Sequence, residues 1–498
     1  MIPKLNISQS RTFASDEFPS RNQKFHTPLF VENSPFRKLV VLLDVNVLSD
    51  LDHEKEEKIN LLAGLINLDT IICFHYADEG PPVDFTWRQH PKFGEVAPNW
   101  ALIEKNIESG ERAVITYRNE TLACHRIAGN TEEVAAIDMS TEAYRLLSPE
   151  EAIQRRKSDA LAAKVAECIK ADIFISDRTY LRMLQRDIVD GVTVVGVDDA
   201  IAIIGLYLRA QRKYISYRSA IDNSEYRLDR GTYFWIGTLE LLPSIWRYET
   251  ALSKNPSTSS DERAIFLWRS ALQRLQKALE FRDDVYKGLN RATDLDAIES
   301  TITSFEAVAL FLMGSIDALA RITNLVLEID SEPRNVGWQK SKWLKGLQDK
   351  APDLHKHFEN NAAGWHTIAI LGAIRNSIHG IALLPFAETN LEIPNAFIIG
   401  LPEANARKLE KAFSFLGGSE IWGVKELMAG QLLFDPGILL EKLFEHVITT
   451  ISRILVETPF ESFPPISIKP LELYIPEFSR DNACHVSYRQ NIRWLLGF

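Results

Sequence analysis

KLVVLLDVNVL, residues 38–48, decides the fold. Its first half is short, rich in Val and Leu and continuously apolar, the pattern of a strand buried on both faces of a sheet. Asp44 follows the last apolar residue of that run, and Asn46 lies two positions on. In an open α/β sheet the functional crevice lies outside the carboxyl ends of the strands, so an acid at this point holds a privileged place. DIFIS (172–176) repeats the arrangement, with Asp177 directly after it.

Outward from these runs, residues 37–218 alternate between two periods. A helix is expected at 54–67, an apolar run TIICFHY at 70–76, and a helix SDALAAKVAECIKA at 158–171 with Leu161, Val165, Cys168 and Ile169 on one face. DIFIS follows, then a helix near 178–187, a strand VTVVGV (192–197) and a helix from about 199. Strands alternating with helices imply a mainly parallel sheet covered on both sides. Residues 95–150 read as a mixed or helical insertion. Residues 1–35 form a polar, irregular extension, so the α/β domain spans 36–217.

Beyond 218 long helical windows dominate, at 231–253, 261–287, 296–328, 403–415 and 438–455, with the polar loop NPSTSSDE (255–262) between the first two. They divide into a helical connector, 218–295, and a helical domain, 296–455. Pro459, Pro464, Pro465, Pro470 and Pro476 mark 456–498 as an irregular tail. The fold class is therefore α/β followed by all-α.

With 498 residues, 46% apolar and 25% charged, the chain is long enough for two or three ordinary globular domains. A net charge of −11 excludes a broad cationic surface that coats nucleic acid, while leaving room for local phosphate contacts beside an acidic cleft. Cys73, Cys124, Cys168 and Cys484 are scattered, which argues against a zinc or disulfide framework and fits a reducing cytoplasm. The N-terminus lacks the pattern of a signal peptide. The most apolar window, 305–328, is broken by Glu306, Asp317 and Arg321 and reads as a buried helix, so no membrane partner is expected.

Asp159 opens the expected 158–171 helix, eighteen residues before Asp177, and a helix of that length running back along the sheet brings its start towards the same crevice. Gathered carboxylates raise one another's pKa and destabilise a fold unless a cation neutralises them. Oxygen-only ligation suits Mg²⁺ or Mn²⁺, which lower the pKa of a bound water and orient it towards a phosphate. Phosphodiester hydrolysis is the reaction class that follows. Each acid also has an ordinary role open to it: a turn after a strand for Asp44 and Asp177, an N-terminal helix acid for Asp159.

LLDVNVL, SDALAAKVAECIKADIFISDRTYL and VVGVDDAIAIIGLYLR together resemble the PIN-domain nucleases over about 37–212. The resemblance implies a three-layer PIN-like domain in which Asp44, Glu79, Asp159 and Asp177 hold Mg²⁺ or Mn²⁺ and Asn46 supports the site. Glu79 stands in FHYADEG, with Asp78 as its near rival. The family often has a hydroxyl residue two positions before the last Asp; here that position is Ile175, and Ser176 comes one later.

WHTIAILGAIRNSIHG (365–380) is an apolar helix that brings Arg375, Asn376 and His379 to one border, with Gly380 as its C-cap. It resembles the RN…H motif of HEPN domains, α-helical modules that often dimerise at the motif, although three residues separate Arg375 from His379 where the family usually has more. The resemblance implies RNA cleavage without metal: His379 would move the proton, Arg375 would stabilise the phosphorane and Asn376 would position it. The same residues also suit a plain cationic helix C-terminus. His366, on the same helix, reads as a packing or surface residue, and as a further candidate only if the helix turns it inward.

Arg155, Arg156 and Lys157 precede Asp159, and Arg178, Arg182 and Arg186 recur every fourth residue after Asp177, as basic stripes that would track a phosphate backbone. GWQKSKWLKG (337–346) interleaves Lys340, Lys342 and Lys345 with Trp338 and Trp343, either as a stacking-plus-charge surface for nucleic acid or, the favoured reading, as solvated lysines with the tryptophans in the core. The expectation is a cytoplasmic metal-dependent nuclease acting on RNA in preference to single-stranded DNA. By resemblance it suits a bacterial toxin or anti-phage effector, with homodimerisation through the helical half and a regulatory partner protein. Two alternatives stand beside it: a metal-independent HEPN-type RNase on which the PIN fold only binds, and a non-catalytic regulator that binds nucleic acid or protein.

Overall fold

A computed structural model describes residues 38–48, 53–77, 99–106, 110–117, 120–126, 147–178, 181, 192–219, 224–242, 244–254, 262–290, 295–380, 383–387, 397–401, 403–427, 431–460 and 483–498. KLVVLLD forms β1 (Leu39–Asp44), flanked in parallel by β2 (Ile71–Tyr76) and β6 (Ile173–Ile175). β3 (Asn99–Asn106) and β7 (Thr193–Val195) extend the parallel sheet to five strands, in the order β3-β2-β1-β6-β7. β4 (Gly110–Tyr117) and β5 (Glu120–Arg126) add two antiparallel strands beyond β3. The 95–150 stretch, expected as a mixed or helical insertion, thus widens one edge of the sheet. Runs such as AVITY (113–117) are β-branched and aromatic, a composition that favours strand over helix.

The pleat sorts the core into two layers, because successive strand residues face opposite sides. Leu39, Val41 and Leu43 join Ile173 and Ile175 on the side covered by α1 (His53–Ile66) and α3 (Val197–Ala210). Leu42, Phe74 and Phe174 face the other side, where α2 (Pro149–Cys168) lays down Leu161, Ala162 and Val165. The three-layer α/β/α arrangement agrees with the expected class. α2 starts nine residues before the expected 158, because Ser148 and Glu151 form a reciprocal capping box with Pro149 at the first helical position. Asp159 consequently lies in mid-helix and is not a helix-opening acid.

A hairpin, β8 (Ile215–Arg218) and β9 (Glu225–Arg227), leads into a mostly helical region. The 231–253 window is two helices, α4 (Arg230–Leu241) and α5 (Ile245–Lys254), with Pro243 between them in the sequence. α6 (Glu262–Leu289) and α7 (Leu295–Val326) form a long helical hairpin. α7 is long and apolar enough to cross a membrane, but Phe305, Val308, Leu312 and Ile316 are buried in the protein core. There follow α8 (Ser341–Lys350), α9 (Pro352–Lys356), α10 (Ala363–Gly380), α11 (Glu403–Phe415) and α12 (Pro436–Glu457). Trp338 and Trp343 are buried edge-to-face, as core residues. The region is not all-α: β10 (Leu384–Ala387), β11 (Phe397–Leu401), β13 (Gln431–Phe434) and β12 (Val424–Leu427) make a four-stranded antiparallel sheet in that spatial order.

The tail is not wholly irregular either. α13 (Ala483–Leu495) returns to the α/β domain and packs on α3, α4 and β8, burying Ile492, Trp494, Leu495 and Leu496. Gly205 on α3 permits the approach, since a Cβ there would collide with the Leu495 carbonyl. Beside it, the buried Arg209 guanidinium donates to both oxygens of Asp283 on α6, at 2.5 and 3.0 Å, and to the Leu495 carbonyl at 2.6 Å. One cation therefore joins the sheet domain, the helical region and the C-terminal helix, and a single apolar core runs through all three.

Removing one partner of a buried ion pair leaves an uncompensated charge. Asp283→Ala is expected to lower stability by about 3–5 kcal/mol in urea unfolding. A second prediction concerns pH. Burial pushes His75, whose Nδ1 faces the Asn99 carbonyl at 3.2 Å, down to about 4. The folded chain keeps this ring neutral where the unfolded chain protonates it, so its contribution is present above the unfolded pKa and falls as pH drops towards 4. Between pH 7 and pH 5 wild type should lose roughly 2 kcal/mol through this residue, and His75→Gln should flatten the urea-midpoint profile over that interval.

Candidate functional site

The parallel register that sets Leu43 beside Ile175 places Asp44 next to Ser176 where the two strands end. Ser176 Oγ donates to Asp44 Oδ2 at 2.9 Å, and the backbone N–H of Asn46 donates to Oδ1 at 3.1 Å. Two residues beyond Ser176, the Arg178 guanidinium turns back into the same pocket. Its Nε donates to Asp44 Oδ2 at 2.6 Å, while Nη1 donates to Asp159 Oδ1 at 3.1 Å and to Ser158 Oγ at 2.6 Å. The Tyr76 ring lies 5.5 Å from the guanidinium carbon. Asp44 and Asp159 are fully buried and Arg178 is 2% exposed. Arg155, one helical turn before Asp159, adds a second guanidinium at 3.8 Å.

Asp177 stands apart from this pocket. The alternation of the strand continues through Ser176, Asp177 and Arg178, so the middle residue faces the opposite layer. There it meets Lys55 of α1 at 3.0 Å, with nearly half of its side chain exposed. A shift of one residue along an extended chain exchanges the two sides of a sheet, which is why the last acid of the expected quartet does not join the first.

Two of the four expected metal ligands, Asp44 and Asp159, therefore meet, and they meet on a guanidinium. Glu79 and its rival Asp78 lie outside the described residues. Among the described residues no three His, Cys, Asp or Glu side chains converge. The donor set described does not fit a divalent ion: Arg178 engages the carboxylate oxygens that such an ion would need, and Asp177 has its own partner. Arg178 is also not the exposed phosphate contact expected of it, because it is buried within the pocket. Arg182 and Arg186 lie outside the described residues, as do the side chains of Arg156 and Lys157. Arg155 is exposed near the pocket, and Asn46 is exposed on the turn beyond Asp44.

Ser176 and Arg178, expected respectively as an off-register hydroxyl and an exposed phosphate contact, are instead the buried partners of Asp44. The signal was present: in DIFISDR, Phe174, Ser176 and Arg178 share one parity with the inward-facing Leu42 and Asp44 across the sheet. Read in that phase, Ser176 is the hydroxyl residue and an arginine stands two positions after it.

In the helical region, α10 carries Arg375, Asn376 and His379. Arg375 is partly exposed and donates through Nη1 to Asp317 Oδ2 of α7 at 3.3 Å; Asn376 faces solvent. The side chain of His379 lies outside the described residues. Burial raises the Asp317 carboxyl, against the opposing pull of Arg375, its ion-pair partner on α10, and of Arg321 and Arg274. Arg321 is exposed, and Arg274 donates to the Gly314 carbonyl at 2.7 Å. His366, on the same helix, is buried and stacked on Phe415, as a packing residue.

Compared with known protein families, curated proteins and solved structures, the chain finds no match.

The two acids beyond the strand ends should respond differently to substitution. Asp44→Ala leaves Arg178 buried without its 2.6 Å partner and is expected to lower stability by about 3–5 kcal/mol. Asp177→Ala loses a surface pair and should change it by less than about 1 kcal/mol, both read from urea midpoints.

Proposed function

We propose that the protein is a metal-independent endoribonuclease whose cutting groups lie on α10, with the α/β domain serving as a binding or supporting module. The observation that carries this reading is on α10 itself: Arg375, paired with Asp317 of α7 at 3.3 Å and partly exposed, is followed directly by the exposed Asn376, and Arg321 and Arg274 act electrostatically on the same acid. A partly exposed guanidinium next to an exposed amide suits a phosphate and its developing charge.

The chemistry is a transesterification. His379 takes the proton of an RNA 2′-hydroxyl, the 2′-oxygen forms a bond to phosphorus, and the bond from phosphorus to the 5′-oxygen breaks as that oxygen takes a proton from water, His379 later losing its own to solvent. A 2′,3′-cyclic phosphate and a 5′-hydroxyl result. Arg375 offsets the charge on the non-bridging oxygens, and Asn376 fixes the phosphate by hydrogen bonding. DNA lacks the nucleophile and is spared. Such an activity suits a toxin or anti-phage effector restrained by a partner, and α10 would be the face on which two copies pair.

A second reading, metal-dependent phosphodiester hydrolysis with Mg²⁺ or Mn²⁺, is favoured by the meeting of Asp44 and Asp159 at the carboxyl edge of the parallel sheet. It requires Arg178 to leave the two carboxylates.

Cleavage of mixed RNA and single-stranded DNA in EDTA or in Mn²⁺ separates the readings. The expected result is RNA cleavage that persists in EDTA, leaves cyclic phosphate ends, and falls by about 10²-fold or more in His379→Ala and Arg375→Ala. Cleavage that needs Mn²⁺ and survives His379→Ala favours the sheet edge. No cleavage of either substrate in any condition overturns both.

A further inference from the structure

We propose that Arg178 is the built-in cation of the acid pocket in the α/β domain, so that this pocket is complete without a divalent ion and serves to hold the sheet edge together. Three observations combine to this end.

The first is occupancy. Nε and Nη1 of one guanidinium reach Asp44 at 2.6 Å and Asp159 at 3.1 Å, bridging the end of β1 and the middle of α2. The second is enclosure. All three charged groups are buried, Ser176 and Ser158 add hydrogen bonds to Asp44 and Arg178, and the face of Tyr76 lies against the guanidinium. Buried carboxylates are tolerated only when paired and hydrogen-bonded, and this pocket supplies both from the chain itself. The third is phase. Arg178 reaches the pocket because it shares the strand parity of Ser176 and Asp44, whereas the adjacent acid, Asp177, is turned to Lys55.

A tethered guanidinium differs from a bound ion in a way that can be measured. It is present at every metal concentration, its planar fork spans two carboxylates at once, and it is never deprotonated in this pH range. A divalent ion would have to expel it, leaving a buried cation to find new partners. The chain should therefore be indifferent to divalent ions where a pocket of bare carboxylates would depend on them. The inference stands apart from the chemistry proposed for α10.

Thermal unfolding of the full chain tests it, in EDTA and in millimolar MnCl₂, for wild type, Asp44→Asn, Arg178→Met and the triple variant Arg178→Met/Asp44→Asn/Asp159→Asn. Wild type should melt at the same temperature in both buffers, within about 1 °C. Arg178→Met should melt roughly 3–5 °C lower in EDTA. The triple variant, which removes the stranded carboxylate charges along with the cation, should recover part of that loss. The proposal is overturned if Mn²⁺ raises the melting point of wild type and Asp44→Asn abolishes the rise, because an ion then displaces the arginine. It is equally overturned if Arg178→Met melts with wild type in EDTA. Should Arg178→Met fail to fold, the wild-type comparison and the triple variant still decide, since a triple variant that also fails to fold would deny a charge-compensating role.

Discussion

The phase of a pleated strand governs the chemistry at the sheet edge. β1 and β6 lie side by side in parallel register, so whatever follows their last residues must meet. Which residues meet is then a matter of odd or even position. Asp44, Ser176 and Arg178 face α2, where Asp159 waits; Asp177 faces α1 and Lys55. The outcome is a buried ion triad instead of an open carboxylate cluster. Its energetics differ accordingly: a closed triad satisfies its own charges and strengthens the join between strand end and helix, whereas an open cluster would leave like charges to be relieved from outside.

A second buried arginine performs a related task at larger scale. Arg209, on the last helix of the α/β domain, takes Asp283 from the helical region and the Leu495 carbonyl from the C-terminal helix. Such pairs add little net stability against an apolar equivalent, but they penalise any arrangement that leaves one partner alone. With Gly205 admitting the Leu495 backbone, the pair gives the two parts of the chain one defined mutual position. The helical region is thereby attached to the sheet domain through a buried ion pair.

Much of the fold was legible in the chain. LVVLLD, TIICFHY and DIFIS are apolar runs that only a doubly covered sheet explains, and the helices at 262–289, 295–326 and 436–457 follow from long amphipathic or apolar windows. The strands of 99–126 escaped because their alternation is interrupted by charged residues, so that only antiparallel pairing to a preformed edge shows what they are. α13 escaped because its five preceding prolines dominate the composition of the tail, while its burial depends on contacts with residues nearly 300 positions away.

For the site, the chain by itself determined that acids stand where strands end, since local patterning is enough to locate a strand's last residue. It also determined that a serine, an aspartate and an arginine follow one another after β6. Only the tertiary structure decided which of these the acids meet. Partnership across 132 residues depends on strand order, register and the depth to which α2 crosses the sheet, and none of these is a property of any short segment. Local sequence specifies the direction in which a side chain alternates, whereas the charge it will face is set by the packing of elements far apart in the chain.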